Sequence, residues 1–416
     1  MSVSLQSAPL LPALRTWVRR GLKARTFRFE PAPSPVGRQL LVDVSVIASG
    51  DARTGIQRVV RALLGQLVSL AGEYVVVQPI FATRDHSYCR AQIEEGGKIV
   101  RPNRDEVRHR VRVRPGDIFL GLDLAAHLIP HLECDLERWR RHGVSLNFLV
   151  YDLLPVQRPE WFQATTSTNI DRWLRVLGRQ ADRCICISNA VAKDLAHELQ
   201  ARTSGTVPVI ATIPLGCDLG ASFPSQGLPS NVEDIRAWLR RYKVVLAVGT
   251  IEPRKGYHRL LETMSFHWTA SPSSNLGLLI VGRRGWKTHS LQARILEHPE
   301  HGKRLLWLDE VSDELLEEVY KSAAGMVAMS YGEGFGLPLM EALAHGLPVL
   351  ARDLPVFREI GGAFFDYFDY DATEPLEAQL QLWLGQDRRT DLRTLATLPR
   401  WAESGAALLS TLRLMT

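Results

Sequence analysis

The sequence predicts an α/β fold made of two doubly wound, Rossmann-like domains, and three observations support this prediction. The chain has 416 residues, which exceeds the size at which one hydrophobic core usually stops growing, so two domains are expected. Two series of short apolar runs alternate with helical patterns, as in parallel sheets covered by helices on both faces. A segment rich in Gly, Pro and Ser, LGCDLGASFPSQGLPSNVED, separates the two series and indicates the seam between the domains.

The first series begins after the Pro- and Ser-rich stretch EPAPSPVGR. The apolar run QLLVDVSVIA has the length of a strand, and SGDARTG interrupts it. In IQRVVRALLGQLVSL, apolar residues recur at helical spacing from Ile56 to Leu67, which predicts a helix with one apolar face. Further strand candidates are EYVVVQPIF, DIFLGLD, LNFLVYD, RCICIS and VPVIATI, and helical segments such as NAVAKDLAHELQ lie between several of them.

The second series begins at about residue 243 and alternates more regularly. Its strand candidates are KVVLAVG, GLLIVG, GMVAMS and LPVLAR. The helical segments between them are YHRLLETMSFHW, LLEEVYKSAA and LPLMEALAHG. This alternation predicts a second parallel sheet with helices on both faces.

Composition narrows the classes of function without choosing one. The net charge of +5 and the pI near 9.0 are a mild basic excess, which suggests anionic ligands or surfaces and does not indicate nucleic acid. No run approaches the ~18 apolar residues of a membrane span, and no stretch resembles a cleavable signal sequence. We interpret all five cysteines as reduced thiols in or near the core of a cytoplasmic protein, with a disulfide or metal site as the alternative: Cys89, Cys134, Cys184, Cys186 and Cys217.

The N-terminal arm, residues 1–37, has a distinct charge pattern. The stretch PLLPALRTWVRRGLKARTFRF carries six cationic residues and no acidic one, and its apolar residues recur at helical spacing. A basic amphipathic helix over residues 10–28 suits an anionic membrane surface. A frayed terminal arm is the alternative, and the sequence leaves both interpretations open.

Paired cations follow two strands of the second series, at the edge where parallel sheets bind ligands. Arg254 and Lys255 stand at the entry to a helix, where two cations are unfavourable because the helix N-terminus is itself positive. The arrangement is explained if a phosphate binds there, between the helix N–H groups, the Arg fork and the Lys ammonium. Two solvated charges beside Glu252 are the alternative. Arg283 and Arg284 occupy the corresponding place after the next strand.

A third loop, YGEGFGLPLMEALAHG, combines alternating glycines with two glutamates. Its spacing is GxGxG, so it does not meet the dinucleotide fingerprint GxGxxG. Pro338 suits the start of a helix and Gly346 its end. Glu341 in the first helical turn would favour the helix dipole, whereas Glu333 between glycines should be exposed, with no role in packing or capping. Phosphate-binding cations together with carboxylates that accept from hydroxyls predict a nucleotide sugar as ligand.

These stretches strongly resemble a known family, the retaining, family-4 type glycosyltransferases with the two-domain GT-B fold. YGEGFGLPLMEALAHGLPVLA resembles their Glu-x7-Glu region, and VGTIEPRKGYHRLLE resembles their donor-phosphate loop. ADRCICISNAVAKDL, PLGCDL, LLIVGRRGW and WAESGAALL are similar to further landmarks, in the expected order, so that the resemblance covers roughly residues 40 to 412. DVSVIASGDARTGIQRVVR and VYDLLPVQRPEWF look most like bacterial mannosyltransferases of surface-polysaccharide assembly.

The resemblance implies a plan for the whole chain. Residues 38–225 would form the N-terminal acceptor domain and residues 226–395 the nucleotide-sugar donor domain, facing each other across a cleft. Residues 396–416 would form a C-terminal helix that crosses back to the N-terminal domain.

The same resemblance implies roles for residues of the donor domain. Arg254 and Lys255 would bind the donor diphosphate, and Glu333 would hold hydroxyls of the donor sugar. Glu341 would hold the nucleotide ribose. The backbone of three further residues would line the sugar and phosphate: Phe335, Gly336 and Leu337.

In the N-terminal domain the resemblance implies fewer residues in contact with the donor or at the reaction centre. SGDARTGIQRVVR resembles the glycine loop that faces the diphosphate, with Gly55 nearest and Arg58 close. VYDLLPVQRPEWF resembles the His-Asp stretch at the reaction centre, but Tyr151 stands where the family often has histidine. The role therefore transfers only to Asp152, and the residues expected to carry catalysis are Asp152, Arg254, Lys255 and Glu333.

The implied mechanism is a front-face displacement in which the leaving diphosphate helps take the acceptor's proton. It requires no metal and no cofactor, and we interpret Asp369 and Asp371 in FDYDA as loop carboxylates, not a metal-binding pair. GDP-mannose is the first choice of donor, with a UDP-sugar or dTDP-rhamnose as alternatives, and a glycan or lipid-linked glycan is the expected acceptor. A nucleotide-sugar epimerase, a phosphorylase of similar architecture and a non-catalytic binding module remain as other interpretations.

Overall fold

The structure is a computed structural model, and it describes residues 37–70, 75–94, 97–102, 110–202, 207–369, 375–386 and 397–414. The basic segment 10–28 lies outside the described residues. Within the described part of the chain, every helix is too short or too polar to cross a bilayer.

The first domain is built on a seven-stranded sheet. Its strands and a small ribbon (β4 with β5) are β1 Arg38–Asp43, β2 Val75–Phe81, β3 Cys89–Arg90, β4 Gln92–Ile93, β5 Ile99–Val100, β6 Ile118–Gly121, β7 Ser145–Val150, β8 Arg183–Cys186 and β9 Val209–Thr212. The strand order is β3-β2-β1-β6-β7-β8-β9, and only the β2–β3 pair is antiparallel. The helices of this domain are α1 Gly55–Leu70, α2 Ile129–Arg141, α3 Leu154–Gln157, α4 Ala164–Gln180 and α5 Asn189–Arg202.

The second domain is built on a six-stranded, fully parallel sheet. Its strands are β10 Lys243–Val248, β11 Leu276–Val281, β12 Leu305–Leu308, β13 Gly325–Ala328, β14 Val349–Arg352 and β15 Asp366–Phe368, in the order β12-β11-β10-β13-β14-β15. The helices are α6 Val232–Arg241, α7 Tyr257–Ala270, α8 His289–Leu296, α9 Asp313–Ser322, α10 Leu337–Ala344, α11 Pro355–Gly361 and α12 Leu376–Leu384. The two doubly wound sheets predicted from the sequence are therefore confirmed.

Burial explains why these segments form these elements. All six residues of β11 are buried, as expected for a strand covered by helices on both faces. The apolar stripe of α1 faces the core, because Val59, Val60, Leu63 and Leu67 are all buried. In each sheet the strand order reverses at one point, between β1 and β6 and between β10 and β13. Such a switch point leaves a crevice at the carboxyl ends of the strands, where ligands bind.

The first predicted strand is shorter than its apolar run. QLLVDVSVIA continues to residue 48, but β1 ends at Asp43. The carboxylate of Asp43 accepts a hydrogen bond from the backbone N–H of Ser45 (2.9 Å), and this local turn draws the chain out of the ladder. Burial raises the pKa of Asp43 to about 6.

A last helix, α13 Trp401–Thr411, packs against α1 of the first domain. The contact is close, because a Cβ on Gly405 would lie 2.6 Å from Cβ of Gln66. The backbone N–H of Trp401 donates to Asp218 Oδ1 at 2.8 Å, and the indole ring of Trp401 is buried. The C-terminal segment thus follows the second domain in sequence and packs on the first.

None of the five cysteines, all of which are described, forms a disulfide. Four are buried, and burial raises the pKa of the Cys186 thiol to about 12. Cys134, in contrast, is exposed on α2, so the interpretation of all five as core or near-core thiols was wrong for this residue.

Candidate active site

The loop after β10 presents the two predicted phosphate-binding cations. A short turn, Pro253–Lys255, leads into α7. Gly256 completes the turn with φ of 68°, and a Cβ there would lie 2.3 Å from the carbonyl oxygen of Met329. Only glycine fits this left-handed, crowded position, so the turn holds Arg254 and Lys255 against the loop after β13.

The loop after β13 lies directly beside it, because β10 and β13 are neighbours at the switch point. The Tyr331 N–H donates to the carbonyl oxygen of Arg254 at 2.7 Å. The Arg254 guanidinium donates to the carbonyl oxygen of Gly332 at 3.0 Å. The two loops are therefore joined through both backbone and side chain.

The glycines of GxGxG have two different structural roles. A Cβ on Gly334 would lie 2.1 Å from the carbonyl oxygen of Tyr151, and one on Gly332 would lie 3.1 Å from the Trp161 ring. Both glycines therefore admit the first domain, and Ser188 Oγ of that domain donates to the carbonyl of Gly334 at 2.9 Å. Gly336 instead needs its conformation, φ of 115°, as it precedes α10.

Glu333 is the centre of the ion-pair cluster, and the prediction that it is exposed was wrong. Its side chain is 9% exposed. The carboxylate accepts hydrogen bonds from the Arg254 guanidinium, from Lys255 Nζ at 2.6 Å and from Ser330 Oγ at 2.8 Å. Although burial opposes its ionisation, the charges of Arg254 and Lys255 lower the pKa of Glu333 to about 2.

Two further carboxylates complete this cluster. Glu252, treated above as part of a solvated alternative, is buried and pairs with Arg254 at 2.7 Å. Asp152 approaches from the first domain, beside the contact between Gly334 and Tyr151. Burial raises the pKa of Asp152, opposed by the charge of Arg254 and reinforced by that of Glu333. Burial likewise raises the pKa of Glu252, opposed by Arg254 and Lys255.

The cluster therefore holds two cations and three carboxylates. Arg254 pairs with both Glu333 and Glu252, and Lys255 pairs with Glu333, so the pocket is not purely cationic. An anion that binds here has to share or replace carboxylate partners of Arg254 and Lys255.

Tyr151, whose role the sequence left open, is held away from the cluster. Its hydroxyl donates to the carbonyl oxygen of Leu122 at 2.7 Å, and the ring is buried. Tyr151 therefore anchors the strand end from which Asp152 projects.

Glu341 lies in a second polar cluster. It is the fifth residue of α10, beyond the first turn, and its side chain is 4% exposed, so the helix-dipole role suggested for it was wrong. Arg58 of the first domain pairs with Oε1, and the Tyr320 hydroxyl donates to Oε2 at 3.0 Å. Gly55 begins α1, one turn before Arg58.

The three residues whose backbone was expected to line the sugar and phosphate lie at the start of α10. Phe335 and Leu337 flank Gly336, and both of their side chains are buried. Their backbone leads from Glu333 toward Glu341.

Arg283 and Arg284, the cations after β11, do not join the site. Arg284 is exposed, with its guanidinium 3.3 Å from Asp309 and over the Trp307 ring, and Arg283 is also exposed. Asp369 is exposed after β15, and Asp371 lies outside the described residues. Across the described ranges, no group of three or more potential metal-binding side chains comes together.

Sequence reasoning missed three partners: Ser330, Tyr320 and Asp313. Ser330 lies three residues before Glu333, a spacing that could have suggested the contact. Asp313 begins α9 behind the N-cap Ser312, whose Oγ accepts from Leu315 N at 3.1 Å. That local pattern indicates only the start of a helix. It could not predict the ion pair of Asp313 with Arg58, because Arg58 lies in the other domain.

Comparison with known proteins identifies relatives of this chain. The glycosyl transferases group 1 family matches residues 233–389. The chain is 36% identical over 351 residues to the serotype-specific mannosyltransferase WbdA of Escherichia coli, an alignment that covers 83% of this chain and 43% of WbdA. It is also 36% identical over 115 residues to the O-antigen chain mannosyltransferase RfbU of Salmonella typhimurium, covering 28% of this chain and 31% of RfbU. The chain thus spans less than half the length of the WbdA proteins it matches.

Solved structures support the fold alone. Anabaena Alr3699/HepE, in complex with UDP and glucose, matches with a TM-score of 0.60 at 14% identity, covering 91% of this chain and 100% of that one. Sucrose-phosphate synthase from Thermosynechococcus elongatus matches with a TM-score of 0.60 at 17% identity, covering 90% and 98%. These likenesses confirm the predicted GT-B architecture of two Rossmann-like domains.

Proposed function

We propose that this chain, a member of the group 1 glycosyltransferases, transfers mannose from GDP-mannose to a glycan or lipid-linked glycan during surface-polysaccharide assembly. The observation that carries the proposal is the cluster of Arg254, Lys255 and Glu333 at the switch point of the second sheet. The identity to mannosyltransferases supports the choice of sugar.

The ion pairs suggest how a donor binds. Diphosphate oxygens accept hydrogen bonds from Lys255 and Arg254, and the Glu333 carboxylate, released from part of its pairing, turns to the hydroxyls of the sugar. Arg254 keeps Glu252 as a second acceptor, so its guanidinium stays oriented while Glu333 exchanges partners. Glu341 accepts from the ribose, and the backbone around Gly336 borders the phosphates.

The chemistry follows from where charge develops. The bond between the anomeric carbon and the diphosphate oxygen breaks, the acceptor oxygen bonds to the same face of that carbon, and its proton passes to the leaving diphosphate. Positive charge fixed beside the diphosphate stabilises it as it leaves, and losing one such donor typically costs about 2.7–4 kcal/mol. Arg254 and Lys255 supply this charge, so the proposed reaction uses neither a metal nor a cofactor. Because the acceptor bonds to the face that the diphosphate leaves, the reaction retains the anomeric configuration. Asp152, next to Glu333, contacts a reacting hydroxyl.

The test has two stages. Thermal-shift screening of the protein against GDP, UDP and dTDP and their sugars should give the largest stabilisation with GDP or GDP-mannose. Incubation with GDP-mannose and a mannosylated acceptor should then yield an α-linked product by NMR, with release of GDP. Conversion of the donor without acceptor would instead indicate an epimerase, and binding without any turnover would indicate a non-catalytic module. Stabilisation by a UDP- or dTDP-sugar alone would refute the proposed donor.

We further propose that residues 10–28 dock the enzyme on an anionic membrane, at the cytoplasmic face where a lipid-linked acceptor is held. The charge pattern of the segment supports this. The 416-residue chain should co-sediment with vesicles that contain phosphatidylglycerol and not with purely zwitterionic ones. Deletion of residues 1–30 should abolish co-sedimentation, and unchanged co-sedimentation would contradict the proposal.

A further inference from the structure

Arg58 crosses from one domain to the other. It lies on α1 of the first domain, and its guanidinium donates to Oε1 of Glu341 and to Oδ1 of Asp313, both in the second domain. The contact is sheltered from solvent, with 14% of the Arg58 side chain exposed against 4% for Glu341 and 9% for Asp313. A planar fork that bridges two carboxylates fixes both in orientation, which a lysine ammonium does not do.

The Glu341 carboxylate is held at both oxygens. Oε1 accepts from Arg58, and Oε2 accepts from the Tyr320 hydroxyl at 3.0 Å. A carboxylate offers about four lone-pair sites, so about two remain for a ligand. Two acceptor sites on one rigid carboxylate match the two adjacent hydroxyls of a ribose.

Asp313 ties the same guanidinium to the segment that joins the domains. Its Oδ2 accepts from the backbone N–H of Ser225 at 2.8 Å and from Ser225 Oγ at 3.0 Å. Ser225 lies between β9 of the first domain and α6 of the second. Any opening of the two domains that withdraws α1 therefore removes Arg58 from Glu341 and from this connection together.

We propose that Arg58 is a positioning residue that orients Glu341 toward the ribose of the nucleotide only while the two domains are closed. This inference rests on the proposed function, since it assumes a nucleotide at Glu341. Ribose recognition and domain closure then share one contact, and each favours the other by the same free energy. An open enzyme distinguishes ribose from deoxyribose poorly, and the closed enzyme distinguishes them well.

The experiment measures discrimination between sugars of the nucleotide, not activity. Isothermal titration calorimetry compares GDP with 2′-deoxy-GDP and 3′-deoxy-GDP, or the corresponding uridine nucleotides if the wild type prefers UDP. The wild type should prefer the ribonucleotide. Arg58→Gln should lower its affinity for the ribonucleotide by about 5- to 150-fold, the usual range of coupling between sites, and should bring the ratio of ribo to deoxy affinities close to one.

Arg61→Gln is the matched control. Arg61 lies one turn along α1, is also buried and pairs with Asp51 of its own domain at 2.6 Å. Its replacement should lower the melting temperature and leave the ribo-to-deoxy ratio unchanged. Arg58→Lys keeps the charge while losing the fork, so it serves if Arg58→Gln fails to fold, and it should lower the ratio partway.

The two proposals fail in different ways. If the wild type binds no nucleoside diphosphate, the proposed function falls. If the wild type discriminates ribose and a folded Arg58 variant keeps the wild-type ratio, only the role of Arg58 falls. Small-angle scattering should also show a larger radius of gyration for Arg58→Gln in the presence of nucleotide, and identical radii would overturn the link to closure.

Discussion

Replacing Gly334 by alanine tests whether the domains must meet at the glycine loop. The added Cβ would lie 2.1 Å from the carbonyl oxygen of Tyr151 and 2.9 Å from Cβ of Asp152, whereas ordinary contact begins at 3.4 Å. Relief therefore needs a separation of about 1.3 Å (3.4 minus 2.1) between the two backbones. The displaced segment carries Asp152, and a misplacement of about 1 Å at a reaction centre costs about 10²-fold in rate.

The assay is transfer of labelled mannose from saturating GDP-mannose, with the melting temperature measured in parallel. Turnover by Gly334→Ala should fall about 10²-fold, with a smaller effect on folding, because the strain is relieved by a shift between domains. Gly220→Ala is the control, since a Cβ there meets no atom within 4 Å, and it should behave as the wild type. Wild-type turnover by a folded Gly334→Ala would refute the claim that this contact positions Asp152.

The other predictions concern single groups of the cluster. Lys255→Ala should lower turnover about 10²- to 10³-fold, while Arg284→Ala, at an exposed pair outside the cluster, should leave it unchanged; a wild-type rate for Lys255→Ala would discredit the diphosphate assignment. Asp152→Asn should reduce kcat more than donor affinity, measured by steady-state kinetics and calorimetry, and unchanged kcat would remove Asp152 from the reaction centre. Because the pKa of Glu333 lies below its ordinary 4.5, at about 2, its ion pairs stabilise the fold above pH 4.5 and are lost as the pH falls toward 2. Chemical unfolding of the wild type across that interval should show a loss of about 3 kcal/mol that Glu333→Gln lacks, and parallel curves for the two proteins would contradict this.

Local patterns in the sequence were sufficient for most of the elements and for the choice of loops, but the short strands β12 and β15 of the second sheet were not predicted. The apolar stripe of α1 and the continuous apolar strands of the second sheet depend on neighbours a few residues apart, so period and burial agree. Arg254, Lys255 and Glu333 were identified because polar residues after parallel strands face one edge of a sheet. That rule needs only that the strands be parallel, which the alternation of strands and helices already predicts.

The sequence by itself therefore determined the two doubly wound domains, the loops that carry the site and the residue types in them. Only the tertiary structure decided which of these side chains are buried and which of them contact each other. Glu333 proved to be buried by two cations, Glu341 to be held by an arginine 283 positions away in the chain, and Gly334 to be a point of contact between domains. These outcomes depend on how the two sheets face each other, and a burial or charge balance set by that arrangement leaves no signature in the spacing of neighbouring residues.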